Sequence, residues 1–185
     1  MREGVSSSEV LRVLSVLNSR LRLQDLLPAV LDASLELTEA QRAFLMVYDR
    51  ANNLSIKAAR SREKEDLPEE DFSGSNSILE KVLATRQSLY LPRVMDHKEF
   101  AIAESVRKWN LHSAICIPLM QAAPDHDASP ALLGVLYIDS SRETDPLTSQ
   151  DLQLMEMLSS HIAITLSNAR LFEEIYSKNE NIAAL

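Results

Sequence analysis

One cysteine, four histidines and a short Asp-His-Asp run are the side chains here with the clearest capacity for chemistry. Cys116 lies between Ile115 and Ile117, with no cationic neighbour in sequence and no helix start beside it to hold a thiolate. It reads as a buried structural cysteine. A single thiol also excludes an internal disulfide and any multi-cysteine zinc site. His97, His112, His126 and His161 show neither HxH nor HxxxH spacing, so no two of them share a strand face or a helix face around a metal. Asp125, His126 and Asp127 look like ligands on paper, but Pro124 and Pro130 frame them as a solvated loop tip. The serines of "SGSNS" lack the GxSxG elbow of a nucleophile. Glycine occurs only at positions 4, 74 and 134, so neither GxGxxG nor a P-loop is present. No two groups stand out as an acid and a base. The residues point to sensing rather than turnover.

The elements that would position these residues follow from hydrophobic period. "SSSEVLRVLSVLNSRL" places Val10, Leu14, Leu17 and Leu21 on one helical stripe behind hydroxyl caps. A second helix, "LQDLLPAVLDASLELTEA", repeats the stripe through Leu27, Val30, Leu31, Ser34, Leu35 and Thr38, with Asp25 as the expected cap so that Pro28 falls in the first turn. At Arg42 the period changes. "RAFLMVYD" and "LSIKAAR" read as a β-hairpin around the polar turn "RANN", which suits left-handed conformations. Ser77 and Glu80 suggest a capping box opening "SILEKVLATR". "SLYLP" is a short strand ended by Pro92, and "EFAIAESVRKWN" a short helix burying Phe100, Val106 and Trp109. Two apolar strands, Ala114–Met120 and Ala131–Ser140, flank ten polar residues. Thr148, boxed with Asp151, opens a helix free of glycine and proline to Leu185.

The order α-α-β-β-α-β-α-β-β-α predicts an α+β fold, a central antiparallel sheet with helices on both faces and long terminal helices bundled on one of them. A composition of 45% hydrophobic and 25% charged residues supports a packed core rather than disorder. Apolar runs reach only about eight residues, against the ~20 that cross a bilayer, and the N-terminus lacks signal-peptide features. A cytoplasmic location without membrane partners is the default expectation. The net charge of −8, from 27 acids and 19 bases, argues against nucleic acid as a partner. Arg60, Arg62 and Lys64 cluster, but acids interrupt them, and the segment reads as a solvated loop.

The ordered set "RAFLMVYD", "SILEKVLATRQSLYLPRV", "SVRKWNLHSAICIPLM", "LLGVLYIDS" and "LTSQDLQLMEMLSSHIAITLSNARLFEE" resembles a bacterial GAF domain from about Leu26 to Glu174. The resemblance implies a sheet with the first, second and last helices on one face. On the other, the short helices and loops would enclose a small-molecule pocket. It also implies a covalently linked output domain: a histidine kinase, nucleotide cyclase, phosphatase or σ54-type transcriptional activator. Three departures narrow this. The NKxnFDE-type motif of cyclic-nucleotide-binding members is missing. Cys116 is followed by Ile117 and not by the histidine of bilin-holding members. The methionine-sulfoxide-reducing members need several cysteines. A non-catalytic sensory domain with an unassigned ligand remains, or a structural dimerisation module whose pocket has filled in with Phe72, Phe100, Trp109 and methionines. No cofactor is assigned.

Strand alternation divides the candidates by face. Ala43, Leu45 and Val47, Ile115, Ile117 and Leu119, and Leu132, Gly134, Leu136 and Ile138 form aliphatic sets suited to helix packing, with Gly134 admitting a close helix. The opposite sets, with Phe100 and Trp109 from the short helix, offer Phe44, Met46, Tyr48, Cys116 and Tyr137 as pocket residues. Tyr48 and Tyr137 read equally well as core tyrosines. The expected division is residues 1–24 as an N-terminal dimerisation helix, 25–174 as the sensory domain and 175–185 as a helical extension, the whole a fragment of a longer protein. As one helix, Thr148–Leu185 spans roughly 57 Å, beyond the ~38 Å diameter of such a domain. Leu166, Ala169, Phe172 and Tyr176, with Leu171 and Ile175 alongside, would then pair in parallel in a homodimer.

Overall fold

Helix α1 (Leu23–Thr38) opens the described fold, in a computed structural model that covers residues 15, 23–69, 72, 76–121, 129–144 and 147–183. The expected stripe Val10–Leu21 lies outside the described residues. Along α1, Leu27, Val30, Leu31, Ser34, Leu35 and Thr38 are all buried, as their spacing predicts. Each buried leucine or valine contributes about 1.5–3 kcal/mol. The two buried hydroxyls are satisfied within the helix, Ser34 Oγ donating to the Val30 carbonyl at 2.8 Å and Thr38 Oγ1 to the Ser34 carbonyl at 2.7 Å. The helix already runs at Leu23, so Asp25 is not its cap and Pro28 lies inside it. The Gln24 carbonyl therefore lacks its usual i+4 donor.

Strands β1 (Arg42–Tyr48) and β2 (Leu54–Ser61) form the expected hairpin. Asn52 takes φ of 63°, and Asp49 Oδ1 accepts from the Asn53 amide at 2.8 Å. Then come α2 (Asn76–Thr85), β3 (Leu89–Leu91) and a 3-10 turn (Val94–Asp96). Helix α2 includes Asn76, so Ser77 falls inside its first turn and not at its cap. The expected single helix over "EFAIAESVRKWN" is instead α3 (Lys98–Ala101) and α4 (Glu104–Lys108), broken at Ile102 and Ala103. Geometry explains the break. Phe100 and Val106 are six residues apart, about 240° around one helix, yet both are buried against the sheet.

Strands β4 (Ser113–Gln121) and β5 (Ala131–Ser140) complete an antiparallel sheet of order β2-β1-β5-β4-β3. Helix α5 (Ser149–Ala183) closes the chain. Its capping box is formed as expected: Asp151 Oδ2 accepts from the Thr148 amide at 2.7 Å, and Thr148 Oγ1 from the Asp151 amide at 3.2 Å.

Two cores sandwich the sheet. Helices α1 and α5 cover one face, on Ala43, Leu45, Val47, Ile115, Ile117, Leu119, Leu136 and Ile138. Helices α2, α3 and α4 cover the other. The alternation divides the strands as expected except at the β4–β5 bulge. Pairing steps from Leu119↔Gly134 to Met120↔Leu132, which leaves Leu133 extra and turns it to the α1–α5 core. Gly134 also differs from expectation. A Cβ there would lie 2.0 Å from the Met46 carbonyl oxygen, so the neighbouring strand, not a helix, requires the glycine.

Arg60 is not solvated as its loop suggested. Its guanidinium meets Asp32 of α1 at 2.7 and 3.0 Å and Asp66 at 2.6 Å, which ties the β2 edge to α1. At the other end of β1, Arg170 of α5 donates to the Tyr48 carbonyl.

Candidate functional site

The face under α2, α3 and α4 carries a buried ion pair. Arg42 and Asp139 are direct cross-strand partners on β1 and β5. Arg42 Nε donates to Asp139 Oδ1 at 2.9 Å and Nη2 to Oδ2 at 2.7 Å, a bidentate pair. The Asp139 side chain is 1% exposed and that of Arg42 13%. Burial raises the Asp139 carboxyl above its ordinary range, partly offset by Arg42. The Arg42 guanidinium also lies over the Trp109 ring, 4.5 Å from its centroid, and Lys108 Nζ is 5.1 Å from the same centroid.

Around this pair three buried polar atoms have no hydrogen-bond partner among the described residues: Arg42 Nη1, Trp109 Nε1 and Tyr137 Oη. Tyr137 precedes Asp139 by two residues, so both face the same way. Burial first, and the neighbouring Asp139 second, push its hydroxyl well above the ordinary phenol range. Buried polar atoms in folded proteins are almost always paired. All three belong to this core or to the residue stacked on Arg42 beside it.

The sequence-predicted site residues divide. Phe44, Met46, Phe100, Cys116 and Tyr137 all belong to this core. Trp109 borders it, half-buried, through its contact with Arg42. Tyr48 does not join: it is half-buried at the end of β1, where its residue pairs with Leu54. Burial pushes the Cys116 thiol far up, which fits a packing role. Phe72 packs edge-on to Phe44 at 4.9 Å and to Tyr137 at 5.7 Å. The pairing of Arg42 with Asp139 escaped the sequence reading. Their alternation put each with the pocket set, but only the β1–β5 register shows them opposite one another. No group of three metal-binding side chains occurs among the described residues, and Asp125–Asp127 lies outside them. No helix among the described residues is long and apolar enough to cross a membrane.

Comparison with known proteins gives these observations a family. The GAF domain model matches residues 22–166. Hybrid signal transduction histidine kinase G of Dictyostelium discoideum is 26% identical over 99 residues, which is 54% of this chain but 3% of that protein's length. The fold is similar to the GAF domain of an Acinetobacter phosphoenolpyruvate-protein phosphotransferase, with a TM-score of 0.69 at 14% identity, covering 92% of this chain and 97% of that one. It is also similar to the corresponding Coxiella burnetii domain, with a TM-score of 0.68 at 16% identity and coverage of 90% and 95%. The phycocyanobilin-bound GAF domain of a cyanobacterial phytochrome gives 0.63 at 15% identity, covering 89% and 94%. The match over most of the chain, on a five-stranded antiparallel sheet covered on both faces, establishes that the chain belongs to the GAF domain family.

Proposed function

We propose that this GAF domain is a non-catalytic sensory module of a cytoplasmic bacterial signalling protein. It binds a small molecule on the α2–α4 face of its sheet and passes the signal along α5 to a linked output domain. The observation that carries this reading is the set of three buried, unpartnered donors around the Arg42–Asp139 pair. An oxygen-rich ligand satisfies them. Asp139 already balances the Arg42 charge, so the site favours a carbonyl, hydroxyl or singly charged acid over a polyphosphate.

The relay uses a homodimer. Met157, Ile164 and Leu171 are 42%, 57% and 54% exposed on α5, at seven-residue intervals. That is the repeat of a helix seam seeking a second helix. The seam is rotated from the expected one, because Leu166 is buried in the α1–α5 core and cannot join it. Phe172 and Tyr176 lie beyond the described side chains. A ligand that prefers one of two packings a hundredfold shifts the dimer by roughly 2.7 kcal/mol.

A second reading, a structural dimerisation module with no ligand, draws on Phe72, whose contacts with Phe44 and Tyr137 fill space beside the open donors. Thermal-shift screening of the protein and of Phe72→Ala against nucleotides, amino acids, haem and aromatic acids separates the two. Stabilisation of the wild-type protein by one compound supports sensing. Stabilisation of Phe72→Ala alone supports the filled pocket.

A further inference from the structure

Strand β4 outruns its outer neighbour. Pairing with β3 covers only Leu89–Leu91 against Cys116–Ala114, while β4 continues to Gln121. Arg86, at φ of 55°, turns the chain at the end of α2 just before β3 begins. Pro118 sits in the unaccompanied stretch, opposite Val135 of β5. A proline is tolerated there because its missing N–H faces an edge that no strand among the described residues pairs. Alternation then turns the Pro118 carbonyl and the Met120 N–H to that same edge.

A cleft of about 390 Å³ lies along this edge, within the ~300–1,000 Å³ typical of small-molecule sites. Ile117, Pro118 and Met120 of β4 line it beside Glu156, Ser159 and Ser160 of α5, so it follows the strand edge where α5 passes. Arg86 and Glu156 line it with opposite charges. Ser159 of α5 also lines it; this residue is 2% exposed, and its Oγ has no partner among the described residues.

We propose that this edge cleft binds a zwitterionic α-amino acid or a dipeptide. Its ammonium group faces Glu156 and the Pro118 carbonyl, and its carboxylate faces Arg86 and the Met120 N–H. A strand edge flanked by opposite charges selects a molecule that carries both charges on a short backbone. Ile117, Pro118 and Met120 supply an apolar wall for its side chain, and Ser159 Oγ gains a partner. Because Glu156 and Ser159 belong to α5, occupancy acts on the same helix as the site on the opposite face, without requiring that site.

Nuclear magnetic resonance of the ¹⁵N-labelled full chain tests this. Each common free amino acid, then dipeptides of the best-binding ones, is titrated to millimolar concentration while the Met120 amide and the indole of the single tryptophan are followed. The expected hit moves Met120 and leaves the Trp109 indole in place, and the tighter of the free and dipeptide forms identifies the source. Acetylating its amine weakens it at least tenfold, about 1.4 kcal/mol, and Glu156→Gln, at an exposed position, weakens it about two- to fivefold. Three results overturn the proposal: no amino acid or dipeptide moves Met120, binding survives both changes, or the compound moves only the Trp109 indole. The last would leave the sensory site standing and remove this one.

Discussion

Arg42→Met leaves a carboxylate buried with no counter-charge, and the structure indicates the size of the effect. Exposed ion pairs contribute about 0–1 kcal/mol, whereas removing one partner of a buried pair costs about 3–5 kcal/mol. At 1% and 13% exposure, with both guanidinium bonds between 2.7 and 2.9 Å, this pair belongs to the second class. Methionine keeps much of the aliphatic packing, so the electrostatic loss dominates. The effect also depends on pH. Burial already raises the Asp139 carboxyl above its ordinary value, and Arg42 opposes that rise. A carboxyl with a raised folded pKa favours the folded state in acid, and that contribution is lost as pH rises through the folded value. Without Arg42 the folded value moves higher still. Urea unfolding should therefore show a deficit of about 3–5 kcal/mol at pH 8 that shrinks toward pH 5 as Asp139 takes up its proton. A domain with roughly 5–15 kcal/mol of stability remains folded enough to measure. Arg42→Met with Asp139→Leu should recover most of the loss. A deficit below about 1 kcal/mol at pH 8, or one equal at both pH values, refutes the reasoning.

Three further outcomes follow from particular contacts. Gly134→Ala should cost at least about 1–3 kcal/mol in urea unfolding, because its Cβ would meet the Met46 carbonyl oxygen at 2.0 Å and the β1–β5 pair must spread; an unchanged midpoint would contradict that contact. Thr148→Ala removes the N-cap of α5 and should cost about 1 kcal/mol in the same assay. In sedimentation equilibrium, Ile164→Glu with Leu171→Glu should convert a dimer to a folded monomer, while Leu166→Glu, buried at 3% exposure, should unfold the domain instead. A wild-type protein monomeric at micromolar concentration would rule the seam out.

The sheet and both helix layers were legible because β1 and β4 alternate between the two cores and the helices keep their stripes. Val30, Leu31 and Leu35 are buried where a 3.6-residue period puts them. What the sequence hid came from long-range geometry. No local signal marks the bulge that turns Leu133 across the sheet, and Gly134 serves a neighbouring strand whose register only the fold supplies. The same holds for the site. Phe44, Met46, Cys116 and Tyr137 emerged from alternation, because a hydrophobic wall is written strand by strand. Arg42 and Asp139 are 97 residues apart, and their pairing depends on how β1 and β5 align. Phe100 and Val106 suggested one helix because both are apolar, but burying both against one surface required two.

The central claim is that the open donors beside Arg42 and Asp139 receive a ligand. Isothermal titration of the most stabilising compound from the thermal-shift screen, against wild-type protein, Tyr137→Phe and Trp109→Phe, tests it directly. Tyr137→Phe deletes one donor and keeps its ring, Trp109→Phe deletes one donor and leaves a smaller aromatic ring, and a neutral hydrogen bond contributes about 0.5–1.5 kcal/mol. The account expects both variants to bind more weakly, by roughly two- to tenfold each. Affinity unchanged in both variants would show that the compound binds elsewhere and would contradict the assignment of this face as the sensory site.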